Sequence, residues 1–217
     1  MAQISRKKRR DWFINYMHVK DGDRILDLGG GSGRHIVRLI PVRKNVTIAD
    51  ISKKALEKAK EQYGYNTVLL EENSTLPFSD NYFDIVFCNS VIEHVTISKN
   101  KIWNSKNGKE FYNQSLINQK KFADEIRRIG KNYFVQTPNK YFIFESHTWL
   151  PFSALLPRRI LVHVIKLINR FWIKKTTPDW NLLREKELRV LFPDAIIKKE
   201  RFLFMVKSLI AVKSDRI

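Results

Sequence analysis

Asp27 stands near the end of a short apolar run, Ile25-Leu26-Asp27-Leu28, and a glycine-rich loop follows the run at once, with glycines at 29, 30, 31 and 33. Glycine lets a backbone turn tightly and lie against a ligand with no Cβ in the way, which is what a phosphate or nucleoside site after a first strand requires. A dinucleotide fingerprint counted from Gly29 needs glycine at the sixth place, and Arg34 stands there, which weakens a nicotinamide reading. Asp27 also argues against a pyrophosphate, which it would repel; it suits a cationic or amino-bearing ligand. Asp50 ends the next apolar run, Val46–Ala49, where a carboxylate can accept from both ribose hydroxyls of a nucleoside. The plainer alternatives are that the glycines serve a turn and that Asp50 caps the helix beyond Ser52.

The elements that must hold these residues follow from periodicity. Arg24–Leu28, Val46–Ala49, Thr67–Leu70, Asp84–Cys88 and Tyr133–Gln136 are apolar runs of strand length. Between them lie predicted helices at Arg34–Leu39, at Lys53–Tyr63 with Ser52 as N-cap, and at Gln119–Ile129 closed by Gly130, with a turn near Val91–His94. Alternation of strand and helix predicts a parallel sheet with right-handed crossovers. Ala195–Arg201 and Phe204–Val212 leave no room for a helix between them, so an antiparallel pair finishes the sheet. Lys99–Asn118 reads as a polar loop or a frayed helix.

Composition bounds the remaining possibilities. The 217 residues, 43% hydrophobic, suffice for one globular domain with a sizeable core. Lys+Arg 40 against Asp+Glu 22 give a net charge of +18, so nucleic acid, acidic lipid and phosphorylated substrates are all electrostatically suited partners. One cysteine, Cys88, cannot form an internal disulfide, and no Cys/His pattern has zinc spacing, which predicts a reducing compartment and no metal. The basic start MAQISRKKRR lacks a following apolar region and cleavage site, predicting a cytoplasmic chain without a secretory signal.

The segments ILDLGGGSG, IADIS, LPFSDNYFDIVFCNSVIEHV and ERFLFMVKSLIAV resemble those of the class I S-adenosylmethionine-dependent methyltransferases, in particular the group with the type-11 methyltransferase domain. The resemblance implies an α/β, Rossmann-like methyltransferase sheet, mostly parallel with a C-terminal antiparallel strand pair and helices on both faces, spanning residues 1–217 as a single domain. It implies S-adenosyl-L-methionine as cofactor, with Gly29, Gly31 and Gly33 lining its methionine part, Asp27 facing its amino group and Asp50 holding the ribose. Glu72 and Asn73 take the adenine-side positions, although the family's usual aspartate is a longer glutamate here. Asn89 and Ser90 would close the cofactor pocket ahead of Glu93 and His94.

The acceptor side is expected in an insertion or lid at about 137–178, which brings Tyr141, Glu145, His147 and Trp149 toward the C-terminal edge of the sheet, where ligands bind in open α/β folds. His147, supported by Glu145 or His94, is the expected base for a hydroxyl acceptor, since histidine titrates nearest neutrality; hydrogen bonding that merely ties the loop down is the plainer reading. Arg159–Lys175 reads as a basic amphipathic helix, with Arg159, His163, Lys166, Arg170 and Lys174 on one side and Ile160, Leu161, Val164, Ile165, Leu167, Ile168, Phe171 and Trp172 on the other. It is either a lid packed on the protein or an interfacial helix on the inner, anionic membrane surface. The expected activity is therefore transfer of a methyl group to oxygen on a small-molecule or lipid-linked acceptor. An RNA methyltransferase and a non-catalytic scaffold are the alternatives; against the first, Asn89-Ser90-Val91-Ile92 departs from the Asn/Asp-Pro-Pro-aromatic of amino-methylating enzymes.

Overall fold

A computed structural model describes residues 2–40, 45–143, 152–171 and 175–216. Its centre is a seven-stranded sheet of β1 (Ile25–Leu28), β2 (Val46–Asp50), β3 (Asn66–Leu69), β4 (Phe83–Asn89), β5 (Gly130–Pro138), β6 (Ile196–Phe202) and β7 (Met205–Lys213), ordered β3-β2-β1-β4-β5-β7-β6. The first five strands run parallel, and β7 pairs antiparallel with both β5 and β6. This is the predicted α/β architecture, and the strand order reverses between β1 and β4, so that a crevice opens beyond their C-terminal ends.

Strand alternation splits the core in two. Leu26 and Leu28, Cys88, Tyr133 and Val135, and Leu209 and Ala211 face α3 (Gly108–Ile129) and α5 (Glu185–Leu191). Ile25, Ile85 and Phe87, Phe134, and Ile210 and Val212 face the other way, against Phe13 and Met17 of α1 (Ala2–Met17) and Leu56 and Ala59 of α2 (Lys53–Tyr63). Cys88 is fully buried, and burial pushes its thiol up, away from nucleophilic chemistry.

Ser52 caps α2, its side chain accepting from Ala55 N, as its position predicts. Other boundaries move. The Arg34–Leu39 helix contracts to a 3₁₀ turn at Ile36–Arg38. The helix expected from Gln119 begins at Gly108, capped by Asn107, whose side chain accepts from Lys109 N and Glu110 N. Its inward face includes Ser115 and Gln119, both fully buried and hydrogen-bonded to Phe111 O and to Ile92 O and Asn181 O, so two polar residues interrupt the apolar period that would have announced it. Gly130 closes α3 after Ile129 as expected, its N–H bonding to Ile126 O, but in extended rather than left-handed conformation, so that it also begins β5.

The Arg159–Lys175 helix is also shorter than expected. α4 (Arg158–Ile168) stops where the Asn169 side chain folds back to bond both N and O of Thr176, at 3.0 and 2.8 Å. Leu161 and Ile165 are buried against Trp180 and Leu182, with Ile168 packed beside them, while Ile160, Leu167 and Phe171 of the same apolar set stay exposed. Arg158 is inside too: it donates to Ser105 O, Pro178 O and Ile102 O, with its guanidinium over the Phe111 ring, and burial lowers its pKa to about 10. Trp172 and Lys174 lie outside the described residues.

Candidate cofactor and acceptor site

The glycine loop is held from below and from the side. Asp27, 2% exposed, sits under Gly30, where a Cβ would meet the Asp27 carboxylate at 2.3 Å. Among the described residues no hydrogen-bond donor reaches Asp27 Oδ2, and burial followed by the charge of Asp50 pushes its carboxyl up to about 8. Asp50 accepts from Gly31 N at 2.9 Å through Oδ2 and from Ser52 N at 2.8 Å through Oδ1. Gly31 has φ +55°, and a Cβ there would meet nothing nearer than Asp50 Oδ2 at 3.9 Å, so it would stand in open space above the loop. Gly29 and Gly33 are closed by packing instead, against Val91 and Tyr65. Of the three glycines expected to line a ligand, Gly31 is the one whose missing side chain leaves room for it. The sequence assigns Gly30 no role, because four glycines within five positions hide which one meets the carboxylate.

A cavity of about 720 Å³ opens beside this loop, lined by Gly29 and Asp50, by residues 70–76 after β3, and by Ser90, Val91 and His94 after β4. Glu72 and Asn73 are therefore on its wall. Glu72 accepts from Lys99 N at 3.3 Å and pairs with Lys99 Nζ at 3.7 Å, tying the two loops across the opening. Ser90, at φ +57°, donates from Oγ to Gln136 Oε1 at 2.9 Å. Asn89 turns the other way: its Oδ1 accepts from Arg9 of α1 at 3.0 Å, so its side chain faces away from the cavity that it was expected to close.

His94 lines the same cavity, and its Nδ1 lies 3.1 Å from Asp179 Oδ1. Such a carboxylate fixes the orientation of the ring. Asp179 follows the insertion and is separated from His94 by 85 residues, so nothing in the sequence joins the two. Thr96 Oγ1 donates to Asp179 O at 3.0 Å and holds that segment in place. Glu93 is fully buried and accepts from Thr137 Oγ1 at 3.0 Å, which serves packing between β4 and β5. Tyr141 is 59% exposed, while Glu145, His147 and Trp149 lie outside the described residues.

These residues fit a nucleoside bearing an amino-acid tail. An unpartnered buried carboxylate beneath the loop suits a cationic group, the open Gly31 allows close backbone approach, and Asp50 is the last residue of β2. Residues 26–132 match the methyltransferase domain family, a stretch that carries Asp27, the glycine loop, Asp50, Glu72 and His94. The ubiquinone/menaquinone biosynthesis C-methyltransferase of Zymomonas mobilis is 34% identical over 102 residues, 43% of this chain and 42% of that protein. Its Vibrio cholerae counterpart is 33% identical over 92 residues, 38% and 35% of the two chains. The chain thus spans less than half the length of these curated relatives. Among solved structures, a methyltransferase from Methanosarcina mazei superposes with a TM-score of 0.55 at 17% identity, covering 94% of this chain and 97% of that one. The magnesium protoporphyrin IX methyltransferase of Synechocystis, solved with bound SAH, gives 0.55 at 16% identity over 98% and 84%.

Proposed function

We propose, from the premise that this chain belongs through residues 26–132 to the class I S-adenosylmethionine-dependent methyltransferases, that it transfers a methyl group to a small-molecule or lipid-linked acceptor. The observation that carries the reading is the Asp50–Gly31 hydrogen bond, which shapes the loop around open space bordering the larger cavity. The cofactor, when bound, supplies an electrophilic methyl on a sulfonium that leaves as a neutral thioether. The chain's own task is then placement and proton removal: hold donor and acceptor in line, keep water out, and take the acceptor's proton as the new bond forms.

An oxygen acceptor requires a base, and so does an acidic carbon of the kind that the names of the Zymomonas and Vibrio relatives imply for those proteins. His94, oriented by Asp179, is proposed for that role, with His147 and Glu145 of the insertion as the competing pair. Titration calorimetry with S-adenosylhomocysteine, followed by mass-spectrometric detection of methyl transfer to a panel of phenols, carboxylic acids and quinols, tests the reading; NAD binding tighter than S-adenosylhomocysteine would overturn it.

A lipid-surface setting has separate support. The β6–β7 hairpin projects past the C-terminal end of β5, and its tip exposes Leu203 at 78% and Phe204 at 95%. Phe152, Leu155, Ile160, Leu167 and Phe171 are also exposed, with Arg159, Lys166 and Arg170 among them. Apolar side chains interleaved with cations suit the interface of an anionic bilayer.

A further inference from the structure

A second cavity, of about 460 Å³, lies on the α1 face of the sheet. Lys7 and Arg10 reach it from α1, and His35 and Arg38 from the turn after the glycine loop. Among the described residues no carboxylate lines it. Arg9, also on its wall, is already committed: it donates to Asn89 Oδ1 and Gln136 Oε1 and lies 3.7 Å from the buried Glu200. Lys7, Arg10 and Arg38 remain as exposed cations with no carboxylate among them. Its base is apolar, where Leu39 and the buried core rings of Phe87 and Phe134 underlie the cations.

Like charges gathered around one concavity repel one another, and an anion seated among them relieves that repulsion while gaining charge-assisted hydrogen bonds. The cavity is also next to the proposed cofactor site. Gln136 Oε1 accepts both from Ser90 Oγ, on the wall of the larger cavity, and from Arg9, on the wall of this one. Asn89 and Ser90 are consecutive, one lining each side, so a single backbone step separates the two spaces.

We propose that this cavity seats the anionic end of the methyl acceptor: an amphipathic molecule with an apolar body and a carboxylate or phosphate held by Lys7, Arg10 and Arg38. The proposal rests on the methyltransferase reading above and narrows it, giving the acceptor a charge that the cofactor site does not dictate.

The competing source of an anion is the cofactor's own carboxylate, and one set of titrations separates the two. Naphthalene-2-carboxylate serves as probe, its uncharged carboxamide as control, and S-adenosylhomocysteine as cofactor ligand. The expected result is that wild type binds the carboxylate at least tenfold more tightly than the carboxamide. In Arg10→Glu/Arg38→Glu that preference should be lost, while S-adenosylhomocysteine binds within twofold of wild type. All of the substituted side chains are exposed, and Lys7→Gln supplies a milder variant expected to lose part of the preference. Equal binding of the two naphthalenes to wild type overturns the proposal. So does a tenfold loss of S-adenosylhomocysteine affinity in the double variant with 5′-methylthioadenosine unaffected, since the cations would then hold the cofactor's tail. Failure of wild type to bind S-adenosylhomocysteine at all would instead remove the reading on which the proposal stands.

Discussion

Asp50 Oδ2 accepts the backbone N–H of Gly31 at 2.9 Å, so the carboxylate proposed to meet a ribose is also the residue that sets the curve of the glycine loop. Loss of its charge should be felt twice, once in the ligand's hydrogen bonds and once in the loop that receives the ligand. Asp50→Asn keeps one acceptor oxygen and should weaken S-adenosylhomocysteine binding by about 1–3 kcal/mol, the range for hydrogen bonds to charged groups. Gly31→Val should be worse, because a β-branched residue is strained at φ +55° and its side chain would fill the open space above the loop. Titration calorimetry on both variants measures this, and unchanged affinity in the pair would move the site elsewhere.

Asp27 makes stability depend on pH. Its carboxyl is raised to about 8 in the folded chain against 3.8 for the ordinary group, first by burial and then by the Asp50 charge. Between those values the folded chain binds a proton that the unfolded chain has lost. The contribution of Asp27 is therefore fully present below about pH 4 and is lost as pH rises through about 8. Asp27→Asn carries no titrating group, so its melting temperature should gain on wild type between pH 5 and pH 8 when no ligand is bound. An amino-bearing ligand favours the ionised carboxylate, and saturating S-adenosylhomocysteine should raise the wild-type curve most near pH 8. Parallel melting curves for the two proteins across this range would show that Asp27 does not hold the extra proton.

The sheet was legible because parallel strands buried on both faces are nearly continuous apolar runs, and glycines or polar residues end each of them here. Helices were less so, for physical reasons that differ from one to the next. The first half of α3 hides behind Ser115 and Gln119, which are buried with their hydrogen bonds satisfied by Ile92, Phe111 and Asn181, groups that no local pattern announces. α1 hides behind a basic run, since Phe13 and Met17 are the fully buried anchors among its described side chains. In the site, Asp27, Asp50 and the glycine loop are local signals and could be found by spacing. Asp179 could not, because its relation to His94 exists only after the insertion has folded back. Nor could the partition at Asn89, whose side chain is claimed by Arg9 from the far end of the chain.

His94 and His147 compete for the base. His94→Ala should lower turnover roughly 10²–10⁴-fold on any acceptor found by screening, with S-adenosylhomocysteine affinity nearly unchanged. Asp179→Asn should give a smaller loss, since the carboxylate that orients the ring is replaced while the ring itself stays. His147→Ala is the control on the insertion. If it abolishes turnover while His94→Ala does not, the proton is taken by the insertion and the His94–Asp179 pair is a structural clasp.

The hairpin tip makes the lipid-surface setting testable apart from catalysis. Leu203 adopts φ +53°, a conformation uncommon for a leucine, and with Phe204 it stays almost wholly in water, so the turn keeps two large apolar side chains where folding gains little from them. Binding to a bilayer would bury both. Nearby cations add about 1 kcal/mol each at an anionic surface, and that part is screened by salt. The protein should therefore pellet with vesicles rich in phosphatidylglycerol and not with neutral phosphatidylcholine, and it should be released at high ionic strength. Leu203→Ser/Phe204→Ser should reduce pelleting at low salt while leaving S-adenosylhomocysteine affinity intact, because neither residue lines the larger cavity. Ile160→Ser/Leu167→Ser changes exposed positions of α4 and leaves Leu161 and Ile165 packed beneath, so it separates the helix's share from the hairpin's. Equal pelleting by wild type and the hairpin variant, with loss only in the α4 variant, would assign the contact to α4; no pelleting of wild type on anionic vesicles would leave the exposed residues without a lipid partner.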